Sequence, residues 1–175
     1  MTRAIRTPRL ILRRARATDL ADLHQVMRQP QAMRYWSTPE HDSIEETRLW
    51  LQSMLDADPA TSDDYVVEHA GRAIGKAGAW RLPEIGYILD VRHWRQGLMA
   101  EALAALIPHL FAAHPIPALT AEVDPRNAAS RALLARFGFR ETHRAERTMK
   151  WRDEWCDSLY LALPRPARTD PAPPG

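Results

Sequence analysis

The sequence predicts an α+β fold in which helices flank a mixed, mainly antiparallel sheet. Three observations carry that expectation. Runs rich in β-branched and aromatic residues come in groups, three between Tyr65 and Asp90 and two between Phe139 and Leu163, as sheet neighbours do. Helical periodicity marks two stretches ahead of the first group, and two more helices alternate with a strand after it. The 175 residues, 45% hydrophobic and 26% charged, suffice for one soluble domain with a sizeable core.

Taken in order, Arg9 to Arg14 (RLILRR) reads as the first strand. Thr18 is placed to N-cap a helix over Asp19 to Arg28, with Leu20, Leu23 and Met27 on one face. A loop from Gln29 to His41 carries Met33-Arg34-Tyr35-Trp36. Ser43-Ile44-Glu45-Glu46 fits a capping box, in which serine and glutamate reciprocally satisfy first-turn N–H groups. Its helix is expected to reach Ala57 and bury Trp50, Leu51 and Met54. Tyr65 to His69 and Ala73 to Trp80 form a hairpin about Ala70-Gly71-Arg72. Arg81-Leu82-Pro83 then turns the chain into a strand over Glu84 to Asp90. A helix opens at Leu98, with Pro108 inside it as an expected kink, and His114-Pro115-Ile116-Pro117 stops it. Ala118 to Val123 is a strand, and Asn127 to Phe137 a helix closed by Gly138. Phe139 to Trp151 and Trp155 to Leu163 make a long antiparallel pair, with Trp151 and Trp155 expected to pack across it. Residues 1–163 are thus expected to form a single domain, and the proline-rich 164–175 a disordered tail.

Composition narrows the function classes. A net charge of +2 does not by itself argue for nucleic acid or membrane. No apolar run approaches the roughly 20 residues of a membrane span. The N-terminus MTRAIRTPRL has no apolar region of signal-peptide type. The single cysteine, Cys156, excludes an internal disulfide and fits a reducing compartment, so a cytoplasmic location is expected. The seven histidines (His24, His41, His69, His93, His109, His114 and His143) show no metal-binding spacing, and no metal is expected. No nucleotide-binding glycine motif is present.

The chemistry concentrates between Glu84 and Phe111, EIGYILDVRHWRQGLMAEALAALIPHLF. A strand feeds a loop that ends on Gly97, where a helix begins. The first N–H groups of a helix have no partner within it, and together with the helix dipole they form an anion site. Gly97 lets a ligand approach the backbone, and Arg95 adds a cation suited to phosphate. On these residues alone the segment reads first as an ordinary turn, the commoner use of a strand–glycine–helix junction.

The same segment resembles the acyl-CoA pyrophosphate loop of the GNAT N-acetyltransferase superfamily, in particular its branch of RimJ- and RimL-type ribosomal-protein N-acetyltransferases. The resemblance rests on Gly86-Tyr87 in the strand, Trp94-Arg95-Gln96-Gly97 in the loop and Ala100-Glu101-Ala102 in the helix. RLILRR, the loop MRY and the Gly138-Phe139 pair match the branch in the same order. Trp94 and Met99 depart from the wider superfamily, which prefers Arg or Gln and Gly or Ala there, and agree with the branch.

The resemblance implies a GNAT fold and an acetyl-CoA-dependent N-acetyltransferase in which an amine attacks the thioester directly. It implies cofactor contacts from Ile88, Leu89 and Asp90 on the strand, from Arg95, Gln96, Gly97, Leu98, Met99 and Ala100 at the loop and helix start, and from Asn127 and Ser130. An amide and a hydroxyl three residues apart share one helix face and can hydrogen-bond the pantetheine and its sulfur, so both are candidate catalytic residues, although Asn127 also suits an N-cap. The tyrosine acid of many superfamily members is replaced by Leu134, which leaves Ser130 as the group nearest the leaving sulfur. Glu84 is the candidate base, or else a solvated strand-edge carboxylate. Tyr35, Trp36, His41 and Asp157 are the candidate acceptor-site residues. The acceptor is a protein N-terminal α-amine or a small-molecule amine, with no nucleic acid or membrane partner, and the protein a monomer or homodimer. Two rival readings stay open. One is a non-catalytic acyl-CoA-binding module of the same fold. The other is an Arg-rich nucleic-acid binder, which would show steep salt dependence.

Overall fold

A computed structural model describes residues 4–167. Thirteen elements follow one another: β1 (Ile5–Arg6), β2 (Leu10–Arg13), α1 (Leu20–Met27), α2 (Pro30–Met33), α3 (Ile44–Leu55), β3 (Asp63–His69), β4 (Arg72–Arg81), β5 (Glu84–Leu89), α4 (Leu98–Ala113), β6 (Ala118–Val123), α5 (Ala128–Arg136), β7 (Arg140–Trp151) and β8 (Glu154–Pro164). The strands form one eight-stranded sheet in the order β1-β2-β3-β4-β5-β6-β8-β7. Every neighbouring pair is antiparallel except β5 and β6. The expected α+β class, with helices flanking a mixed, mainly antiparallel sheet, is therefore present.

Strand alternation sends Tyr65, Val67, Ala77, Ala79, Ile85 and Leu89 to one face, where they pack with Leu98, Leu103, Leu106 and Leu110 of α4 and Leu134 of α5. The opposite face presents Val66 to Leu23 of α1 and Leu51 of α3, and Ile88 to Met27 and Met33. Residues such as Leu103 and Leu106 are fully buried, and truncating one to alanine costs about 2–5 kcal/mol. On the α1–α3 face the Lys76 ammonium lies 2.7 Å from the Asp64 carboxylate, both buried, with the Trp36 ring 5.7 Å from it.

Several local features differ from the sequence expectation. The first strand is shorter, Leu10–Arg13, and a short β1 precedes it. Thr18 falls inside a 3₁₀ turn, Ala17–Asp19, and does not cap α1. Pro30 starts the short α2 within the expected loop, using the fixed φ of a first helical position. Ser43 Oγ accepts from Glu46 N at 3.3 Å, while Glu46 reaches back to the N–H of Asp42 rather than Ser43. Of Trp50, Leu51 and Met54, which α3 is expected to bury, only Leu51 is buried and the other two are partly exposed. The hairpin turn is two residues, Ala70 and Gly71, both at positive φ. α4 runs through Pro108 to Ala113. Trp151 and Trp155 are not cross-strand partners, since Trp151 pairs with Glu154 and Trp155 with Lys150. Each instead lies under a guanidinium, Arg34 and Arg152 over Trp151 and Arg147 over Trp155. β8 continues through Pro164, and Arg165 bonds to the carbonyls of Phe111, Ile116 and Pro117. Residues 168–175 of the expected tail lie outside the described residues.

Candidate active site

β5 and β6 run parallel but register with each other only at Glu84 and Thr120. Beyond that pair they splay, and the β5 edge facing β6 has no strand partner. β5 is pressed against β4 on its other edge, because Gly75 has no Cβ: one built there would meet the Ile88 carbonyl oxygen at 2.1 Å. The splay opens a cleft of about 650 Å³. Its walls are Tyr87, Ile88 and Leu89 of β5, the loop and first turn of α4, Asn127 and Ser130 at the start of α5, and Tyr35 and Trp36 after α2.

The loop after β5 is held by side chains. The Asp90 carboxylate accepts from the Arg92 N–H and guanidinium and from Gln29 Nε2, while Gln29 Oε1 accepts from Val91 N. Burial alone would raise the Asp90 carboxyl, but these bonds with the Arg92 charge hold it below the usual carboxylate range. The Trp94 indole donates to the Leu89 carbonyl at 2.8 Å. From β1–β2, Thr7 Oγ1, Arg9 N and Arg9 Nε all donate to the Glu101 carboxylate, and Arg9 NH1 donates to the Gln96 carbonyl. The start of α4 is thereby fixed to the sheet edge.

Within this frame the backbone is turned outward. Arg95 and Gly97 adopt left-handed φ values of 58° and 72°. The first backbone bond of α4 is Glu101 N to Gly97 O, and the N–H groups of Arg95, Gln96, Gly97, Leu98, Met99 and Ala100 have no partner among the described residues. Successive free N–H groups around left-handed residues make an anion-binding concavity, here added to the positive end of a sixteen-residue helix. Arg95 is exposed and borders the cleft. A Cβ on Gly97 would find nothing nearer than Arg9 NH2 at 3.7 Å, so that side of the loop is open.

The α5 wall carries the expected amide and hydroxyl. Asn127 Oδ1 accepts from Ser130 N at 3.1 Å, which makes it the N-cap while its amide nitrogen keeps its donors. Ser130 Oγ lies 2.6 Å from Tyr87 Oη, directly across the splay. Burial, partly offset by the bond to Ser130, pushes the Tyr87 phenol up to about 12. Arg126, also on the cleft wall, is tied to Asp124 and Glu154 and donates to Cys156 Sγ at 3.3 Å.

The cleft thus gathers Tyr35, Trp36, Ile88, Leu89, Arg95, Gly97, Leu98, Met99, Ala100, Asn127 and Ser130 from the residues expected at the site. Five others stand off it. Asp90 lies behind the loop with its N–H and carbonyl engaged by Ile74 and His93. Gln96 turns its side chain to the Arg92 carbonyl, leaving its N–H as its contribution. Glu84 sits where the strands still pair, its carboxylate bonded to Trp80 Nε1 and Arg81 NH2 at 3.3 Å each. His41 is buried between α1 and α3, with Nδ1 on Thr47 Oγ1 and its N–H on the Met27 carbonyl, so it does not border the acceptor side. Asp157 accepts from Arg147 N and fixes the irregular stretch of β7 where Arg147 has φ of 52°.

Sequence reading missed Tyr87, Trp94 and Arg126 as lining residues. Tyr87 and Trp94 were legible only as parts of a motif, and Arg126 carried no signal. No Asp or Glu lines the cleft among the described residues, and no group of metal-binding side chains occurs among them. No described helix is long and apolar enough to cross a membrane.

A family model described as an acetyltransferase (GNAT) domain matches residues 9–140. An uncharacterized N-acetyltransferase, p20, of Bacillus licheniformis is 27% identical over 144 residues, 77% of this chain and 81% of that one. The [ribosomal protein uS5]-alanine N-acetyltransferase of Escherichia coli (strain K12) is 32% identical over 89 residues, 51% of this chain and 46% of that one. Among solved structures, RimL, a ribosomal L7/L12 α-N-protein acetyltransferase in complex with coenzyme A, superposes with a TM-score of 0.83 at 24% identity, over 93% of this chain and 98% of that one. That last likeness is one of fold.

Proposed function

The chain belongs to the GNAT acetyltransferase family, and from that premise we propose that it moves the acetyl group of acetyl-CoA to the α-amine of a peptide or protein N-terminus by direct attack. The run of free N–H groups from Arg95 to Ala100 carries the cofactor part of this reading. It suits a pyrophosphate, with Arg95 as an added cation. The unpaired β5 edge at Tyr87 to Leu89 and the free amide donors of Asn127 suit the amide groups of a pantetheine arm.

In the reaction the amine nitrogen bonds to the thioester carbonyl carbon and the carbon–sulfur bond breaks. The sulfur leaves as a thiolate, and the nitrogen gives up a proton. Backbone N–H groups on the β5 edge stabilise the developing oxyanion, and the Ser130 hydroxyl donates to the leaving sulfur. A direct base must lie within about 2.6–3.2 Å of the proton it takes. Glu84 and Ile88 are four strand residues apart, about 13 Å at strand rise. Glu84 therefore acts only through water, along the face that Gly86 leaves open beside Trp80 and Lys76.

Among the described residues the cleft is lined without a carboxylate, which suits the α-amine. With a pKa of about 7.7–8.0, roughly one α-amine in ten is already neutral at pH 7, against about one ε-amine in 2,500 at a pKa near 10.4. The relative named a [ribosomal protein uS5]-alanine N-acetyltransferase supports the same choice. The test is kcat/KM against pH for a short peptide with a free N-terminus and for an Nα-blocked lysine. An α-amine preference at pH 7, with a rise toward each amine's own pKa, supports the reading. Preference for the blocked lysine, or one plateau common to both, refutes it.

A further inference from the structure

We propose that Tyr87 is a positioning residue for the acyl-transfer step: its phenol donates to Ser130 Oγ and leaves the serine O–H as the donor aimed at the departing sulfur. This rests on the reading of Ser130 above, and three observations carry it. Tyr87 Oη lies 2.6 Å from Ser130 Oγ, with the Ser130 carbonyl 3.5 Å away as a far poorer acceptor. Both residues line the cleft, one from β5 and one from α5, so their bond crosses the splay between the strands. The position four residues before Gly138 holds Leu134, which is fully buried, so no tyrosine approaches the cleft from that side of α5.

The direction of the bond follows from acidity. A phenol is a stronger donor than an alkyl hydroxyl, so the short bond runs from tyrosine to serine. The serine oxygen then accepts, and its own hydrogen is left to point elsewhere. Burial holds the Tyr87 phenol protonated well past neutral pH. A thiolate whose conjugate acid has a pKa near 8.5 cannot take a proton from such a phenol. The pair therefore lends the sulfur a hydrogen bond, and solvent supplies the proton that completes the thiol. Donation from tyrosine also polarises the serine hydroxyl, strengthening the bond it makes in turn.

The experiment is a double-mutant cycle on the full chain with Tyr87→Phe and Ser130→Ala, read as kcat and KM for acetyl-CoA with an N-terminal peptide. Wild type must first release thiol in an amine-dependent way. If it releases none, the reading of the site as an acetyltransferase fails, separately from this proposal. Tyr87→Phe keeps the ring, and a thermal melt checks that it folds. The expected result is a kcat loss of about 3- to 10-fold in each single variant, one hydrogen bond's worth, with KM for acetyl-CoA within twofold of wild type. In the Ser130→Ala background Tyr87→Phe should cost nothing further. Ser130→Thr, which retains the hydroxyl, should restore the sensitivity to Tyr87→Phe. An equal loss from Tyr87→Phe in both backgrounds, or no loss in wild type, overturns the proposal.

Discussion

Replacing Gly97 by alanine separates backbone geometry from ligand binding. Gly97 holds φ at 72° at the head of α4. An added Cβ would meet only Arg9 NH2, at 3.7 Å, so the cost is conformational and not steric. An L-residue in the left-handed region costs about 1–2 kcal/mol. In a domain of this size that lowers Tm by about 2–8 °C at roughly 2–4 °C per kcal/mol. The chain can relieve the strain only by rotating Gly97 toward negative φ, which swings the free N–H groups of Gly97 and Leu98 off their common target. Losing one charge-assisted bond to phosphate costs about 1.5–3 kcal/mol, or roughly 10- to 150-fold in Kd for CoA. Titration calorimetry with CoA measures the affinity and a melt measures the stability. Gly71 is the internal control, since it has φ of 76°, nothing within 4 Å of an added Cβ, and a place in the β3–β4 turn. Gly71→Ala should lower Tm similarly and leave Kd alone. If Gly97→Ala also lowers Tm and leaves Kd within twofold, Gly97 is a turn residue only and the anion site is misplaced.

Further predictions follow from the same geometry. Glu84→Gln should lower kcat by less than about tenfold, because a direct base would be worth roughly 10²–10⁴ and this carboxylate stands at the closed end of the splay; steady-state kinetics at pH 7 decides. Tyr35→Ala should raise KM for the peptide and spare that for acetyl-CoA. Trp36→Ala should do the same with an added loss of Tm, because Trp36 also covers the buried Lys76–Asp64 pair. The His41 imidazole is pushed below its ordinary pKa, chiefly by burial. A depressed histidine pKa means that the unfolded chain binds the extra proton first, so stability is full above about pH 6.5 and falls as pH drops through the folded value. His41→Gln should therefore flatten Tm against pH between 7 and 5.5 and leave both KM values unchanged.

The loop-and-helix wall of the cleft is legible in the sequence because its determinants are local. A glycine at a helix start, a following apolar period and a preceding strand are all readable in one stretch, and the fold class follows from the grouping of such elements. The rest of the cleft depends on contacts between distant segments. Tyr87 meets Ser130 across forty-three positions, and nothing at either residue announces the other. His41 lies in the expected loop, yet its backbone bond to Met27 and its side-chain bond to Thr47 draw it behind α1. For Glu84, how far β5 and β6 stay paired decides its distance from the cleft, and strand pairing is not a local property. Trp151 and Trp155 flank a turn, and register puts them out of each other's reach. Short irregular pieces such as α2 and the 3₁₀ turn before α1 escaped because they have too few residues to show a period.

The most direct test of acetyl transfer to an α-amine is free thiol released from acetyl-CoA in the presence of short peptides of differing N-terminal residue, with the peptide product weighed by mass spectrometry. The account predicts one thiol released for each acetyl group gained at the α-amine, and no gain on an α-blocked peptide. Thermal stabilisation by acetyl-CoA with no peptide-dependent thiol release from any member of the panel would contradict it, and would leave an acyl-CoA-binding module on the same fold.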